Sequence, residues 1–331
     1  MTAPHPQNTN PLNNLLTPPP VPPHSSRPFI LVPLYIYPSP DAWAPLYTAA
    51  EAHPELDLYV IINPSNGPGD GVLPDANYAE ALGRLTALPN VKVVGYVHCS
   101  YGNRPAEDIV EDVERYRAWE GESVKAGIQT IIVEGIFIDE TPSSTEYVEY
   151  LAALATAAKT ILNRNILVPI PAGSNLEGAA QAEAELEADR DAVEAEESEA
   201  AAAAPATPPQ LPTGAVTPST SSAIVIYNPG VVVDPIFYQA ADYVVAFENS
   251  SAQWKNPVVE RGLRRLPKPL LQRSIPVAHS AGGGFVEVAQ LSRRAAELGC
   301  LGQFITSRPG YTEWCESWDE FVGEMARRTM I

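Results

Sequence analysis

A (β/α)₈ TIM barrel of about 250 residues is the fold that this sequence predicts. Eight short β-branched and aromatic runs recur along the chain. Helical stretches separate them, and no GxGxxG or P-loop follows the first run, which argues against a doubly wound nucleotide-binding sheet.

The runs, in order, are Ile30–Tyr37, Leu58–Asn63, Val91–His98, Ile132–Glu140, Ala223–Asn228, Tyr243–Glu248, Ser274–His279 and Leu301–Ser307. Near-continuous apolar runs suit strands of a parallel sheet, which are covered on both faces. Between the second and third, Asp75 follows Pro74 as an N-cap, and Tyr78, Leu82 and Leu85 share one helical face. After the fourth, Ser143 and Glu146 have capping-box spacing ahead of YVEYLAALATAAKTIL. After the seventh, Phe285–Leu298 is amphipathic and Gly299 stands at its C′ position.

Two stretches fall outside this rhythm. Residues 1–27 form a Pro-rich tail, read as disordered. It lacks the basic start and apolar run of a signal peptide, so the chain as written is expected to be cytoplasmic. Residues 173–222 are a low-complexity insertion, Ala/Glu-rich and then Pro/Thr/Ser-rich. The remainder, residues 28–331, is expected to be one barrel domain and a monomer. The insertion falls between the fourth helix and the fifth strand, an αβ connection on the barrel end away from the usual active-site face.

Of 331 residues, 40 are acidic and 21 basic, for a net charge of −19. Residues 177–199 carry ten acids and one arginine, hence −9 of that charge. The balance argues against nucleic acid or an anionic membrane as the main partner, because a phosphate backbone is held by clustered Lys and Arg. No run approaches the roughly 18 apolar residues of a membrane span. Cys99, Cys300 and Cys315 lack CxxC spacing and read as buried thiols.

In a barrel of this kind the chemistry sits at the C-terminal ends of the strands. Those ends carry Tyr35 and Tyr37, Asn63, His98, Asp139 with Glu140, Asn228, Glu248 and His279. The carboxylates are the sharpest signal. GIFIDET places Asp139 and Glu140 at the end of an Ile/Phe strand, and VVAFENS places Glu248 at another. Carboxylates beside an apolar core cost several kcal/mol unless they are paired or protonated. Two facing carboxyl groups are the minimal kit for glycosidic hydrolysis, one protonating the leaving oxygen and the other attacking or activating water. Neighbours on a strand point to opposite faces, so Asp139 and Glu140 share a mouth only if the chain turns there. Pro142 suggests that it does.

Three acids would also suit magnesium or manganese, but His98 and His279 form no HxH or HExxH motif, and neither a metal nor a cofactor is expected. Tyr35, Tyr37, Tyr96, Tyr101 and Trp254 could stack on sugar faces, with Asn63 and Asn228 bonding hydroxyl or acetamido groups. Trp43 reads as core.

The blocks YIYPSPDAWAPLYTAAEAHPELDLYVIINPSNGPG, NYAEALGRLTALPNVKVVGYVHCSYGNRP, GIFIDETP, and YNPG followed by VVAFENS resemble the spherulin-4 family, which includes glycoside hydrolase family 135. The resemblance runs over about residues 28–331 apart from the insertion. It implies a (β/α)₈ barrel that hydrolyses an amino-sugar polysaccharide such as galactosaminogalactan by endo-cleavage between N-acetylgalactosamine units. It also implies that the acids of the family's FDE motif, read here as FIDE, and of its later FE motif are required. By motif these are Asp139, Glu140 and Glu248. Members are often secreted or surface-anchored. An acidic cleft would also attract a cationic, partly deacetylated galactosamine polymer. The alternative is a glycan-binding or cell-wall structural protein on the same barrel.

Deleting roughly residues 176–220 is expected to leave the melting temperature and glycan turnover nearly unchanged, because loop-length costs grow slowly and such a loop makes few buried contacts. A large fall in either would show that the insertion packs on the barrel or serves the site.

Overall fold

The computed structural model describes residues 27–163 and 223–330. The expected insertion and all but the last residue of the expected tail lie outside them. The described chain leaves the barrel at Asn163 and re-enters at Ala223, within the connection from the fourth helix to the fifth strand.

Eight parallel strands, β1 (Phe29–Leu34), β2 (Asp57–Ile62), β3 (Val91–His98), β4 (Gly135–Asp139), β5 (Ile224–Tyr227), β6 (Tyr243–Ser250), β7 (Ser274–His279) and β8 (Gly302–Ile305), close in sequence order into a barrel. The main helices are α1 (Ala44–Ala52), α2 (Ala76–Thr86), α3 (Ala106–Lys125), α4 (Val148–Leu162), α5 (Pro257–Leu263), α6 (Gly284–Leu298) and α7 (Trp318–Thr329). Between β5 and β6 the crossover is a single 3₁₀ turn, Pro235–Gln239. The sequence runs overshoot the strands at several ends: Tyr35, Glu140 and Asn228 lie just past β1, β4 and β5. That position frees their side chains from the ladder.

Local chemistry sets the helix ends. The Asp75 side chain accepts from the Asn77 and Tyr78 amides and starts α2. Gly299, at φ 99°, ends α6 in the left-handed region that glycine occupies without penalty. The expected capping box at Ser143 does not form. The chain enters α4 through a 3₁₀ turn, Thr145–Tyr147, and neither Ser144 nor Tyr147 caps through its side chain. The Tyr147 amide bonds the Ser144 carbonyl, so the first turn is a 3₁₀ turn that starts one residue after Ser143.

The barrel interior is packed from below. Phe29 stacks on Tyr59 at 4.5 Å and meets Tyr243 edge-on at 4.9 Å. A Cβ on Gly302 would lie 2.1 Å from the Phe29 ring, so only glycine lets β8 close against β1 there. Trp43 is core as expected. Trp254 is fully buried and donates to the Leu291 carbonyl on α6, so it is a packing residue and not a sugar platform.

Candidate active site

Two local devices turn the acids toward the open end of the barrel. Asp139 is the last residue of β4, in register with His98 on β3. Glu140 follows with φ 54°, a left-handed conformation that costs a non-glycine residue about 1–2 kcal/mol. The turn therefore comes at Glu140 itself, two residues before Pro142. It is held from outside: the Glu140 carbonyl accepts from the Tyr101 amide at 2.9 Å and from Cys99 Sγ at 3.2 Å. Ser100 and Tyr101 are themselves at φ 47° and 54°, so two strained turns brace each other.

Glu248 needs a different device. Tyr243 points inward onto Phe29, so strict alternation along β6 would turn Phe247 inward and Glu248 outward. A register shift in the β6–β7 ladder between Val245 and Phe247 reverses the parity. Phe247 then packs on the buried Trp254 at 5.0 Å, and Glu248 faces the mouth. On β5 the Tyr227 hydroxyl reaches outward to the Leu151 carbonyl on α4, which leaves Asn228 facing inward. Thr141 and Asn228 exchange backbone and hydroxyl hydrogen bonds and lock the ends of β4 and β5 together.

The result is one hydrogen-bonded arc across five strand ends. Tyr96 donates to Asp139 Oδ2 at 2.9 Å, and Asn228 Nδ2 donates to Asp139 Oδ1 at 2.7 Å. The same Nδ2 donates to Glu248 Oε2 at 2.6 Å, and Tyr311 donates to Glu248 Oε1 at 2.8 Å. The two amide bonds keep the nearer oxygens of Asp139 and Glu248 within about 5.3 Å. Like charges at that distance repel by about 3 kcal/mol at an effective dielectric of about 20. Four charge-assisted hydrogen bonds, at about 1.5–3 kcal/mol each, outweigh that repulsion. No described Lys or Arg pairs with either acid.

Tyr35 sits between the two phenols, edge-on to Tyr96 and to Tyr311 at 5.9 Å each. Burial first, and then the field of the carboxylates, holds the phenols of Tyr35, Tyr96 and Tyr311 well above the ordinary range, so they remain donors. Asn228 is only 8 % exposed, and its Oδ1 is buried with no partner. Its Nδ2 is spent on the two carboxylates, so this amide orders the acids.

The other expected ligand contacts are spread around the mouth. His98 Nδ1 lies 3.0 Å from Ser100 Oγ and 3.7 Å from Glu140 Oε2. His279 Nδ1 meets Ser280 Oγ at 2.9 Å. Tyr101 is 63 % exposed beside Glu140. Tyr37, half-exposed, accepts from Asn77 and donates to the Asp75 cap, which ties it to the start of α2. Asn63 accepts from the Gly67 amide and caps its own loop. Neither Tyr37 nor Asn63 belongs to the arc.

Tyr311 escaped the sequence reading. It lies in the loop after β8, outside any apolar run, and nothing local distinguishes it. Tyr311→Phe is expected to lower stability by about 1.5–3 kcal/mol through the lost donor to Glu248. Thermal melting with an unchanged midpoint would remove that hydrogen bond from the site. Glu140→Gly is expected to melt at or slightly above the wild type, by up to about 1 kcal/mol, because glycine relieves the left-handed strain. A clear fall would mean that the Glu140 side chain carries structural contacts.

All three cysteines are free and buried, and burial pushes the Cys99 thiol up to about 11 and Cys300 up to about 12. Among the described residues no cluster of three or more His, Cys, Asp or Glu is arranged to hold a metal ion, and no helix is long and apolar enough to cross a membrane.

Comparison with known proteins meets this geometry. The barrel is similar to the crystal structure of Aspergillus clavatus Sph3 in complex with GalNAc, with a TM-score of 0.66 and 26% identity over 91% of this chain and 98% of that one. Spherulin-4 of Physarum polycephalum is 38% identical over 127 residues, 38% of this chain. The match spans about a third of the length of that relative, 34%. The family model described as Spherulin4, spherulation-specific family 4, matches residues 29–325, nearly the whole described barrel. The chain therefore belongs to spherulation-specific family 4.

Proposed function

We propose that this chain is an endo-acting glycoside hydrolase of an amino-sugar polysaccharide such as galactosaminogalactan, working through Asp139, Glu140 and Glu248. The observation that carries this reading is the Asn228 amide shared by Asp139 and Glu248 at the barrel mouth. Two carboxylates held this close, by neutral donors and with no cation among the described residues, concentrate negative charge where an oxocarbenium-like transition state becomes positive. The same field favours the ammonium groups of partly deacetylated units. The GalNAc in the Sph3 crystal structure supports an N-acetylgalactosamine-bearing substrate. The aromatic rings of Tyr35 and Tyr101 supply faces for sugar rings beside the acids.

Incubation with galactosaminogalactan, followed by a reducing-end assay with and without chelator, tests the reading. New reducing ends on oligosaccharides of mixed length, unaffected by chelator, are expected. Binding without new reducing ends would instead identify a glycan-binding barrel, and loss of activity with chelator would overturn the metal-free reading.

A further inference from the structure

The loop after β8 serves the barrel mouth and then leaves it. Tyr311 meets Tyr35 edge-on at 5.9 Å inside the mouth. Trp314 follows three residues later, at most about 11 Å of chain away. It stands on the rim, where the loop passes the first turns of α1 and α7. There Trp314, Glu316, Trp318 and Asp319 face Pro45 and Thr48 across a groove of about 350 Å³, within the size range of ligand sites.

The two tryptophans are fixed in place. Trp314 Nε1 donates to the Ala42 carbonyl at 2.7 Å and Trp318 Nε1 to the Pro45 carbonyl at 3.2 Å. Their ring centroids are 4.9 Å apart. With both indole N–H groups spent on backbone, the rings have only their faces to offer. Trp318 is buried, whereas Trp314 stays partly exposed. Arg308 holds the same loop, donating to the Trp314 carbonyl and to Glu316.

Charge around these rings is one-sided. Glu313, Glu316, Asp319 and Glu320 are exposed, and Arg308 is the only basic residue from Arg308 to Ala326. On the other wall, no Lys or Arg falls between Tyr35 and Leu56. A partly exposed indole beside a surplus of carboxylates suits a pyranose that carries a free ammonium group. The sugar ring stacks on the indole, and the ammonium is attracted both by the ring and by the acids. The larger groove across α1, about 460 Å³, differs in kind: Arg84 lies 3.7 Å over the Tyr47 ring, so a cation already covers that aromatic face.

We propose that the Trp314 groove binds an unacetylated hexosamine unit of the polysaccharide, outside the point of cleavage. That this unit belongs to a substrate chain rests on the hydrolase reading above; the fit of a cationic sugar to the groove does not.

Trp314 reports on its own occupancy. The other four tryptophans, Trp43, Trp119, Trp254 and Trp318, are at most 3 % exposed, so acrylamide quenching of tryptophan fluorescence reads Trp314 above all. The full chain is titrated at low salt with a galactosamine tetrasaccharide and with its fully N-acetylated counterpart. The galactosamine chain is expected to shield Trp314 from acrylamide, with an affinity that falls at about 0.5 M NaCl. The acetylated chain is expected to shield it about tenfold more weakly. Glu316→Gln combined with Asp319→Asn, both exposed and outside the arc, is expected to weaken galactosamine binding about three- to tenfold. No shielding by either chain, or equal shielding by both, would overturn the proposal. So would an unchanged affinity in the double variant, because the signal would then arise in the mouth and travel through the Tyr311 loop. Shielding by galactosamine without new reducing ends would support the groove and overturn the hydrolase reading. New reducing ends without shielding would overturn the groove alone.

Discussion

Asp139→Asn and Glu248→Gln are each expected to keep the fold and abolish hydrolysis while leaving glycan binding in place. An amide can present its oxygen to Asn228 Nδ2 and its nitrogen to a phenol that turns to accept, so the arc survives each swap. What is lost is the charge. Removing it should lower turnover by at least about 10²- to 10⁴-fold, and by more where a nucleophile is lost. Stability should hold or rise slightly, since about 3 kcal/mol of repulsion between the acids is relieved while weaker neutral hydrogen bonds remain. Thermal melting and turnover on the same preparations decide the matter. Wild-type-like turnover in either folded variant would remove that residue from the chemistry. A marked fall in melting temperature would show that the acid is a structural anchor whose activity loss follows unfolding.

Asn228→Asp is expected to be damaging in both respects. It deletes the donor that two carboxylates share and sets a third carboxylate, nearly buried, between them. An uncompensated buried charge costs about 3–5 kcal/mol, and turnover should fall with the disordered pair. The cluster can relieve itself by taking up a proton. One carboxyl in the folded variant then holds its proton to higher pH than it would in the unfolded chain. Stability so linked is present at low pH and is lost as pH rises, so the deficit against wild type should narrow on going from pH 7.5 to pH 5. Asn228→Ala, which removes the donor without adding a charge, should show a smaller deficit with little dependence on pH. A deficit for Asn228→Asp that did not change with pH would contradict the shared-amide geometry.

Most of the fold was legible because its signals are local. A buried parallel strand announces itself by a continuous apolar run, and the strand ends at β3 and β7 fall where the runs end. Asp75 and Gly299 act at their helix termini through bonds to residues only a few positions away. The Ser143 capping box failed on the same scale: the first turn is a 3₁₀ turn that starts from Ser144, one residue later.

The acids were legible as residues, because carboxylates at the ends of Ile- and Phe-rich strands need a physical reason to be there. Their arrangement was not. By alternation alone Glu248 would face outward, and it faces the mouth only because the β6–β7 pairing absorbs an extra residue at Ala246. Glu140 joins Asp139 because a left-handed residue is held by the Cys99–Tyr101 turn, some forty residues earlier. Tyr311 reaches Glu248 from 63 residues away. The sequence by itself determined the eight-stranded barrel and singled out the three acids at its strand ends, since periodicity and polarity act within a few residues along the chain. Only the tertiary structure decided which way the acids point and which donors hold them. A bulge, a strained turn and a hydrogen bond from a distant loop each depend on what another strand places opposite, and no local window of sequence contains that partner.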